Sequence, residues 1–418
     1  MRQTNLALGF IYNIGIKLAE TVLPCIAPFN QKIKKGVVGR RETFSVLKEN
    51  LYSNDKTLWF HCASLGEYEQ GLPVFKALRE HYKAHKIVLS FFSPSGYEIR
   101  KNSPIADIVV YLPLDSKRNA KRFIDLIKPE LTVFVKYDIW PNFLSEIKKH
   151  NFKSILISAA FRPNQTYFNF YGKHFRNALF SFEHIFTQNE NSKTLLRAIG
   201  YDNVTVSGDT RFDRVSSQLE MDNTLNFIEQ FKQNKLCVVA GSTWPEGEAL
   251  FINFINKHAL NDIKFIIAPH NIKPNQIANL KDKLKVKCVL FSEKESASLD
   301  TAKVFIVDTI GILTKIYNYA DVAYVGGALG STGLHNTLEP AVFGVPIIIG
   351  NHYDKFPEAN ALIENGGTFS ISNQQEFNTI LTRLIENKKD RELAGSKNAT
   401  FIKSHKGAVN TITQYLNI

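Results

Sequence analysis

Residues Asp321–Gly350 read DVAYVGGALGSTGLHNTLEPAVFGVPIIIG, and this stretch decides how the rest of the chain is interpreted. Val322–Val325 is an apolar run long enough for a buried strand, and Val345–Ile349 is a second one. Between the two runs the pattern predicts a loop and then a helix that begins at His335 or Asn336. A strand, a loop, a helix and a second strand in this order indicate one βαβ unit of a parallel sheet.

The loop of this unit is rich in glycine. Glycines let a ligand approach the backbone, and the helix N-terminus offers unpaired N–H groups and the positive end of a dipole, which suits a phosphate. Glu339, one turn into the helix, could accept hydrogen bonds from sugar hydroxyls. An ordinary βαβ turn can carry the same glycines, so nucleotide binding stays one of two interpretations at this point. The loop glycines are Gly326, Gly327, Gly330 and Gly333.

The composition favours anionic partners. The 418 residues carry a net charge of +12 at pH 7, which suits nucleic acid, anionic lipid or phosphorylated ligands. We find no zinc-finger spacing and no aromatic and basic pattern typical of RNA-binding modules, so nucleic acid is not expected as a partner. The 4 cysteines contain no CxxC pair, which indicates neither a disulfide framework nor a zinc site and fits a reducing cytoplasm.

The segment from residue 4 to residue 29 is apolar, with few charges and an apolar side chain at every fourth position. This stripe predicts an amphipathic helix. Lys17 and Glu20 would lie deep in a spanning helix, and Pro24 and Pro28 interrupt it, so we expect an anchor in the membrane plane or partly inserted. A soluble helix packed on its own domain is the alternative. Basic residues that suit anionic headgroups on the cytoplasmic face follow at once: Lys32, Lys34, Lys35, Arg40 and Arg41.

Strand and helix patterns alternate from Thr57 onward, which predicts a parallel, doubly wound sheet. Ligands of such sheets bind beyond the carboxyl ends of the strands, so the turns there are expected to line one crevice. The predicted strands are Leu58–Cys62, Ile87–Phe92, Leu131–Val135 and Ile155–Ser158, and the turns after them hold Glu67, Ser93, Asp138 and Arg162.

Glu67 is the candidate general base. It follows Gly66 after the first strand and lies in the first turn of the next helix, where the helix dipole favours the ionised carboxylate. A charged carboxylate at a crevice can take a proton from an attacking hydroxyl. A glutamate that merely complements the dipole fits the same spacing equally well. Asp138 is either an acceptor for a polar ligand or the N-cap of a helix near Pro141.

Three further side chains of this half could contact a substrate. Ser95 is either a hydroxyl donor or a turn residue. Arg162 and Arg211 add positive charge suited to a carboxylate or a phosphate, although surface arginines are commonly only solvated.

A second α/β alternation begins at Leu236, after a polar segment without strand character. Gly241 and Ser242 follow its first strand and form another candidate phosphate turn. His270 ends the next strand and could contact a phosphate or a base, but a lone histidine is more often structural. Two doubly wound domains facing each other across a cleft are typical of a hinged, two-substrate enzyme.

Three segments together carry a family resemblance: Ser64–Glu67 (SLGE), Asp138–Asn142 (DIWPN) and Leu334–Pro340 (LHNTLEP). With them the chain resembles the 3-deoxy-D-manno-octulosonic acid (Kdo) transferases of lipopolysaccharide synthesis in Gram-negative bacteria, from the N-terminal segment nearly to the C-terminus. The resemblance implies the GT-B glycosyltransferase fold, CMP-Kdo as donor, the lipid A precursor lipid IVA as acceptor, inversion at the anomeric carbon, and no metal or other cofactor. It also implies an enzyme at the cytoplasmic face of the inner membrane.

By position, the resemblance makes Glu67 the general base, presented by Gly66, with Asp138 as the second catalytic carboxylate. Glu339 would hold the ribose, and the backbone around Gly333 to Asn336 the phosphate. The further substrate-binding residues implied are Ser93, Ser95, Gly96, Arg162 and Arg211. The nucleotide-binding residues implied are Gly241, Ser242, His270, Gly326, Gly327, Gly333, His335, Asn336 and Glu339.

The chain departs from the family pattern at four of these places. Asp138 stands where the family usually has Glu, and Arg211 where a Lys is usual. Leu334 replaces the second Gly of the common GGHN, and Pro269 stands where an Arg often precedes the His. These departures bear on the individual residues, not on the resemblance as a whole.

The resemblance and the alternation together predict the domain organisation. We expect a membrane-associated segment at 1–41, an acceptor-binding Rossmann-like domain at 42–213, a linker at 214–234, a nucleotide-sugar-binding Rossmann-like domain at 235–403, and a C-terminal helix at 404–418 that can cross back to the first domain.

Two alternatives to this activity remain open. The first is another GT-B glycosyltransferase that uses a UDP-sugar. The second is a non-catalytic nucleotide-binding membrane protein, against which two carboxylates predicted at one crevice, Glu67 and Asp138, argue.

Overall fold

The computed structural model describes residues 2–258 and 262–418. The chain forms two compact units. One runs to Arg214 and includes Gly407–Ile418, and the other is Val215–Lys406. Each unit is built around one parallel sheet, so the predicted α/β class with two doubly wound sheets is confirmed.

The sheet of the first unit has the strand order β3-β2-β1-β4-β5-β6-β7. Its strands are continuous apolar runs because both faces of the sheet are covered. The chain proceeds outward in one direction from β1 and in the other from β4, which makes the gap between these two strands the switch point where ligands of such sheets bind. The strands are β1 Thr57–Cys62, β2 Lys86–Phe91, β3 Ile108–Tyr111, β4 Pro129–Val135, β5 Lys153–Ala159, β6 His184–Thr187 and β7 Val204–Val206.

The sheet of the second unit is also parallel, with the order β10-β11-β9-β8-β12-β13-β14, and it differs from the first in that β11 lies between β9 and β10. Its switch point lies between β8 and β12, which pair in parallel from Val238 opposite Val322 to Gly241 opposite Val325. The strands are β8 Leu236–Thr243, β9 Ile263–Pro269, β10 Cys288–Leu290, β11 Val304–Ile306, β12 Val322–Val325, β13 Ile347–Gly350 and β14 Thr368–Ile371.

Helices cover both sheets. Up to Ser216 they are α1 Arg2–Ile26, α2 Gln31–Asn50, α3 Leu65–His81, α4 Pro94–Arg100, α5 Lys117–Ile127, α6 Pro141–Lys149, α7 Lys173–Leu179, α8 Glu190–Ala198 and α9 Thr210–Ser216. The rest are α10 Asn226–Lys232, α11 Pro245–Lys257, α12 Pro274–Lys283, α13 Leu313–Ile316, α14 Leu338–Ala341, α15 Pro357–Glu364, α16 Gln374–Glu386, α17 Lys388–His405 and α18 Ala408–Leu416.

The C-terminal helix α18 belongs to the first unit. Ile412 is buried in the same core as Leu58 and Phe75. The backbone N–H groups of Gly407 and Ala408 donate to the Asp213 carboxylate at 3.0 and 3.1 Å, which holds the start of α18 against α9.

The N-terminal helix α1 presents its apolar residues outward. Phe10 is 67% exposed, Leu18 61% and, just beyond the helix, Phe29 90%. Two of its polar residues bond to the domain instead: Tyr12 Oη donates to Asp115 Oδ2 at 2.7 Å, and Asn119 Nδ2 donates to Glu20 at 2.9 Å. Among the described residues one stretch, 8 to 29, is long and apolar enough to cross a membrane by length and composition alone.

The basic cluster after this helix differs from the expectation in one respect. Arg40 turns inward and donates to the carbonyl oxygens of Leu112 and Phe92 at 3.0 and 2.6 Å. Lys35 pairs with Glu98 at 3.3 Å on the surface. Arg40 is therefore a structural cation, and it is not available to lipid headgroups.

Candidate active site

Glu67 lies at the switch point of the first unit, in the first turn of α3. Its Oε2 accepts a hydrogen bond from the backbone N–H of Ala63, and the carboxylate also accepts one from Ser64 N–H. Burial and then the nearby charge of Asp138 raise the pKa of Glu67 to about 7, against the lowering effect of these donors and of Lys136. A carboxylate with this pKa is ionised in part at neutral pH and takes up a proton readily, as a general base must.

Asp138 lies after β4, across the switch point from Glu67. Its Oδ2 accepts from the indole N–H of Trp140 at 2.9 Å and lies 2.6 Å from Nε2 of His61. Its side chain is 17% exposed, so one side is held by the domain and the other remains open. No N-cap bond from Asp138 to α6 is recorded among the described residues, where Trp140 is the residue before the helix.

The turn after β2 brings Ser93, Ser95 and Gly96 to the same sheet edge. Ser93 is the N-cap of α4, because its Oγ accepts from Ser95 N–H at 3.3 Å. Gly96 is needed for packing, since a Cβ there would lie 2.2 Å from the ring of Phe91. Gly66 differs, because a Cβ there would meet only Ser64 Oγ, at 4.0 Å, so its backbone is open to a ligand.

The two candidate arginines are in different situations. Arg162 follows β5 in an exposed loop, where its backbone N–H donates to Gln165 at 2.9 Å. Arg211 is held by Asp209, whose Oδ2 accepts from its Nε and lies 2.8 Å from its NH2 group. Asp209 also accepts from Gln70, so a ligand at Arg211 would share an existing ion pair.

A cavity of about 340 Å³ opens beside Asp138. Its wall includes Trp140, Gln165 and Tyr167, which combine aromatic surface with an amide. Phe175, also in the wall, packs edge-on against Tyr12 of α1 at 5.4 Å between ring centroids. The cavity beside Asp138 therefore adjoins the helix whose apolar residues are exposed.

In the second unit the glycines at the switch point allow the backbone to pack closely. A Cβ on Gly326 would lie 2.0 Å from Ser242 O, and one on Gly241 would lie 1.9 Å from Tyr317 Oη. Ser242 at the end of β8 has a φ of +51°, a conformation that L residues rarely adopt and that turns the backbone at the strand end. A Cβ on Gly333 would meet only Phe356, at 3.5 Å, so the loop there is open.

Three rings are stacked at the ends of β8 and β9 and the loop after β12. His270 lies 4.6 Å from the Trp244 ring and 4.5 Å from the His335 ring. Trp244 Nε1 donates to His335 Nε2 at 3.1 Å, so the ring proton of a neutral His335 is on Nδ1. Burial and then His270 lower the pKa of His335 to about 4, which keeps this ring neutral at pH 7.

The predicted helix after the glycine-rich loop is wrong in extent. It begins at Leu338, not at His335 or Asn336, and only Leu338–Ala341 is α-helical. The reason is local: Asn336 Oδ1 accepts from Leu338 N–H at 3.1 Å, which forms a side-chain turn before the helix. A four-residue helix has a weak dipole, so a phosphate here would depend on loop N–H groups and side chains instead. Asn336 Nδ2 donates to Glu339 at 3.1 Å, which places these two predicted residues together.

The sequence interpretation missed His61, Trp140 and Trp244 as parts of these sites. His61 is a polar residue in a strand that is otherwise apolar from Leu58 to Cys62, and that exception was the available indication. The tryptophans were a second indication, because all 3 tryptophans of the chain form hydrogen bonds at these two switch points. Within the described ranges no group of three or more His, Cys, Asp or Glu could hold a metal ion.

Comparison with known proteins shows what this chain is similar to. Residues 39–214 match the family model described as 3-deoxy-D-manno-octulosonic-acid transferase (kdotransferase). The 3-deoxy-D-manno-octulosonic acid transferase of Haemophilus influenzae is 26% identical, with 86% of this chain and 86% of that protein covered. The enzyme of that name from Aquifex aeolicus is 29% identical, with 82% and 90% covered.

The chain is a relative of the Kdo transferases. The resemblance stated from the sequence is confirmed, and it identifies a glycosyltransferase. The structure of the UDP-GlcNAc 2-epimerase of Neisseria meningitidis bound to UDP-GlcNAc is similar with a TM-score of 0.61 and 18% identity, over 86% of this chain and 99% of that one. At this identity the similarity concerns the fold alone, and it supports the predicted GT-B fold.

Proposed function

We propose that the chain transfers Kdo from CMP-Kdo to lipid IVA, with inversion at the anomeric carbon. The observation that carries the proposal is the Glu67 carboxylate, which is partly buried at a switch point beside Asp138 and has a pKa of about 7. The relationship to Kdo transferases supplies the transferred sugar, and the base supplies the means of activating an acceptor hydroxyl.

In the proposed reaction Glu67 accepts the proton of a lipid IVA hydroxyl as the oxygen attacks C2 of Kdo. A bond forms between that oxygen and C2, the bond from C2 to the phosphate oxygen breaks, and CMP leaves with the electron pair. Asp138, held through its Oδ2, would orient the acceptor sugar from the cavity beside it. Ser93, Ser95, Arg162 and Arg211 are the further candidates for substrate contacts in this unit.

The second unit would bind the nucleotide of the donor. Backbone groups around Gly241, Ser242 and Gly326 would approach the phosphate, and Nδ1–H of the neutral His335 would be a hydrogen-bond donor to it. Glu339 would accept from the ribose hydroxyls. A neutral donor stabilises the leaving phosphate without forming an ion pair that would have to break before CMP leaves.

The helix α1 would hold the enzyme on the cytoplasmic face of the inner membrane, lying in its plane. This orientation is supported by the hydrogen bonds of Tyr12 and Glu20 to the domain, which a spanning helix would have to give up. The outward apolar side chains, Phe10 and Leu18 among them, would enter the lipid, and exposed Lys32 and Lys34 would lie near anionic headgroups.

The test is mass spectrometry of lipid IVA incubated with the protein, CTP, Kdo and the synthetase that makes CMP-Kdo. The expected product is lipid IVA heavier by one or more Kdo residues, formed only when CTP and the protein are both present. No gain in mass, while a known Kdo transferase in a parallel reaction modifies the same lipid, would contradict the proposal.

A further inference from the structure

Behind Asp138 lies a hydrogen-bond network that the proposed reaction does not yet use. His61 is fully buried on β1. Its Nε2 lies 2.6 Å from Asp138 Oδ2, and its Nδ1 lies 2.8 Å from Ser90 Oγ. Trp59 Nε1 donates to the same Ser90 Oγ at 2.8 Å. The network thus runs through the sheet from Trp59 to Asp138.

The proton positions in this network follow from what each group can donate. An indole nitrogen only donates, so Ser90 Oγ accepts from Trp59, and the serine's own proton is free to be given to His61 Nδ1. His61 then carries its proton on Nε2 and donates it to Asp138 Oδ2, and the indole N–H of Trp140 lies within reach of both that oxygen, at 2.9 Å, and His61 Nε2, at 3.0 Å. In the other tautomer the lone pair of Nε2 would face the carboxylate oxygen at 2.6 Å with no proton between them, so the tautomer with the proton on Nε2 fits the geometry.

The geometry fixes which oxygen of Asp138 is available. His61 and Trp140 both bond to Oδ2, and within the described ranges no hydrogen bond to Oδ1 is recorded. The terminal torsion of an aspartate is broad, so these two bonds to Oδ2 are what fix the direction of Oδ1. A buried donor on a central strand is a rigid support for that purpose.

We propose that His61 is a positioning residue that acts through Asp138: as a neutral Nε2–H donor it holds Oδ2 and thereby directs Oδ1 toward the acceptor sugar. This inference rests on the proposed function, because it gives His61 a role in the same reaction. Ser90 and Trp59 lie behind His61 in the network, and they hold its ring in the tautomer that carries the proton on Nε2.

The test is a double-mutant cycle on kcat for Kdo transfer with His61→Leu, Asp138→Asn and the double variant. His61→Leu is expected to lower kcat about 10- to 100-fold, as loss of a supporting hydrogen bond commonly does. In the Asp138→Asn background the same change is expected to lower kcat less than about twofold, because the group that His61 supports has already been altered. His61→Gln, whose amide can donate in place of Nε2–H, is expected to recover most of the activity.

A matched control is His184→Gln. His184 is also a buried strand histidine of the first sheet, bonded to Thr205 Oγ1 at 2.9 Å, and it lies outside the proposed site. This variant should keep kcat within about twofold. Equal losses from His61→Leu in both backgrounds, or a Gln variant no better than Leu, would overturn the inference and show a purely structural role.

A spectroscopic readout separates this inference from the proposed function. The 3 tryptophans give three indole N–H signals in a spectrum of tryptophan-labelled protein. His61→Leu should move the Trp59 and Trp140 signals and leave that of Trp244, while His184→Gln should leave all of them. If the Trp59 and Trp140 signals did not move, the network would be overturned, even if transfer were never observed. If the signals moved as expected but the wild-type protein were inactive, only the proposed function would be contradicted.

Discussion

Each unit has a parallel seven-stranded sheet with a switch point, but the two switch points are built from different groups. At the first, the groups available to a ligand are side chains, Glu67 and Asp138, held by other side chains and by backbone N–H groups. At the second, the backbone itself is the main surface, packed so closely that Gly326 and Gly241 have no room for a Cβ. Its histidine, His335, is kept neutral by burial and fixed by Trp244.

This difference separates chemistry from binding. Proton transfer needs a group whose protonation can change near neutral pH, and burial beside a second carboxylate provides that at Glu67. Holding a phosphate needs fixed donors and close approach, which we propose that the open backbone at Gly333 and the neutral imidazole of His335 provide. Variants at one switch point should therefore change rates, and variants at the other should change binding.

The largest effect on stability is expected from Gly326→Ala. The new Cβ would overlap Ser242 O, so the ends of β8 and β12 would have to move apart. We expect the free energy of unfolding to fall by about 2–4 kcal/mol and CMP binding to be lost. Denaturant unfolding measures the first, with Gly333→Ala as a control expected to change the unfolding free energy by less than about 1 kcal/mol. Equal losses in the two variants would show that close backbone packing is not what distinguishes this site.

The stabilisation of the protein by CMP and by UDP tests the proposed role of the second switch point in nucleotide binding. CMP at about 100 times its Kd should stabilise the protein by about 2.7 kcal/mol, or about 5–10 °C in Tm, and UDP at the same concentration should give much less. The melting temperature with each nucleotide is the measurement. A larger shift with UDP than with CMP would favour the alternative of a UDP-sugar transferase.

The pH dependence of kcat/KM in an Asp138→Asn variant tests the proposed role of the first switch point in proton transfer. A general base acts in its ionised form, so if Glu67 is the base, kcat/KM should rise as the pH increases through about 7. The charge of Asp138 helps to raise the pKa of Glu67, so its removal should move this acidic limb to lower pH, together with a loss of about tenfold in kcat. Rate profiles from pH 5 to 9 measure both. If the acidic limb of the profile stayed in place or moved to higher pH, the charge of Asp138 would not be what raises the pKa of Glu67.

The smallest effect is expected from Trp244→Phe. The phenyl ring keeps the stack with His270 but removes the donor to His335, a loss of about 1 kcal/mol, or about fivefold in the Kd for CMP. Calorimetric titration with CMP measures it. An unchanged Kd would mean that fixing the tautomer of His335 does not matter for the nucleotide.

The sequence predicted the sheets better than the contacts at their edges. Apolar runs such as those of β1 and β8 predict strands directly, and the four-residue strands β12 and β13 were predicted because a glycine-rich loop lies between them. The short strands β3, β6, β7, β10 and β14 have no such neighbouring pattern and were not predicted. The helix after the glycine-rich loop was overestimated because the turn made by Asn336 depends on a side-chain contact. The roles of His61 and Trp244 arise from strands brought side by side, a pairing that spacing along the chain does not encode.

The most direct test of Glu67 as the general base is the Glu67→Gln variant, measured for Kdo transfer and for CMP binding in the same preparation. Gln keeps the shape of the side chain but cannot take the proton, so kcat should fall by about 10²- to 10⁴-fold while the Kd for CMP stays within about twofold. Glu80→Gln, at the exposed end of the same helix, is the control and should change neither. A folded, CMP-binding Glu67→Gln protein that transfers Kdo at nearly the wild-type rate would contradict the assignment of the base.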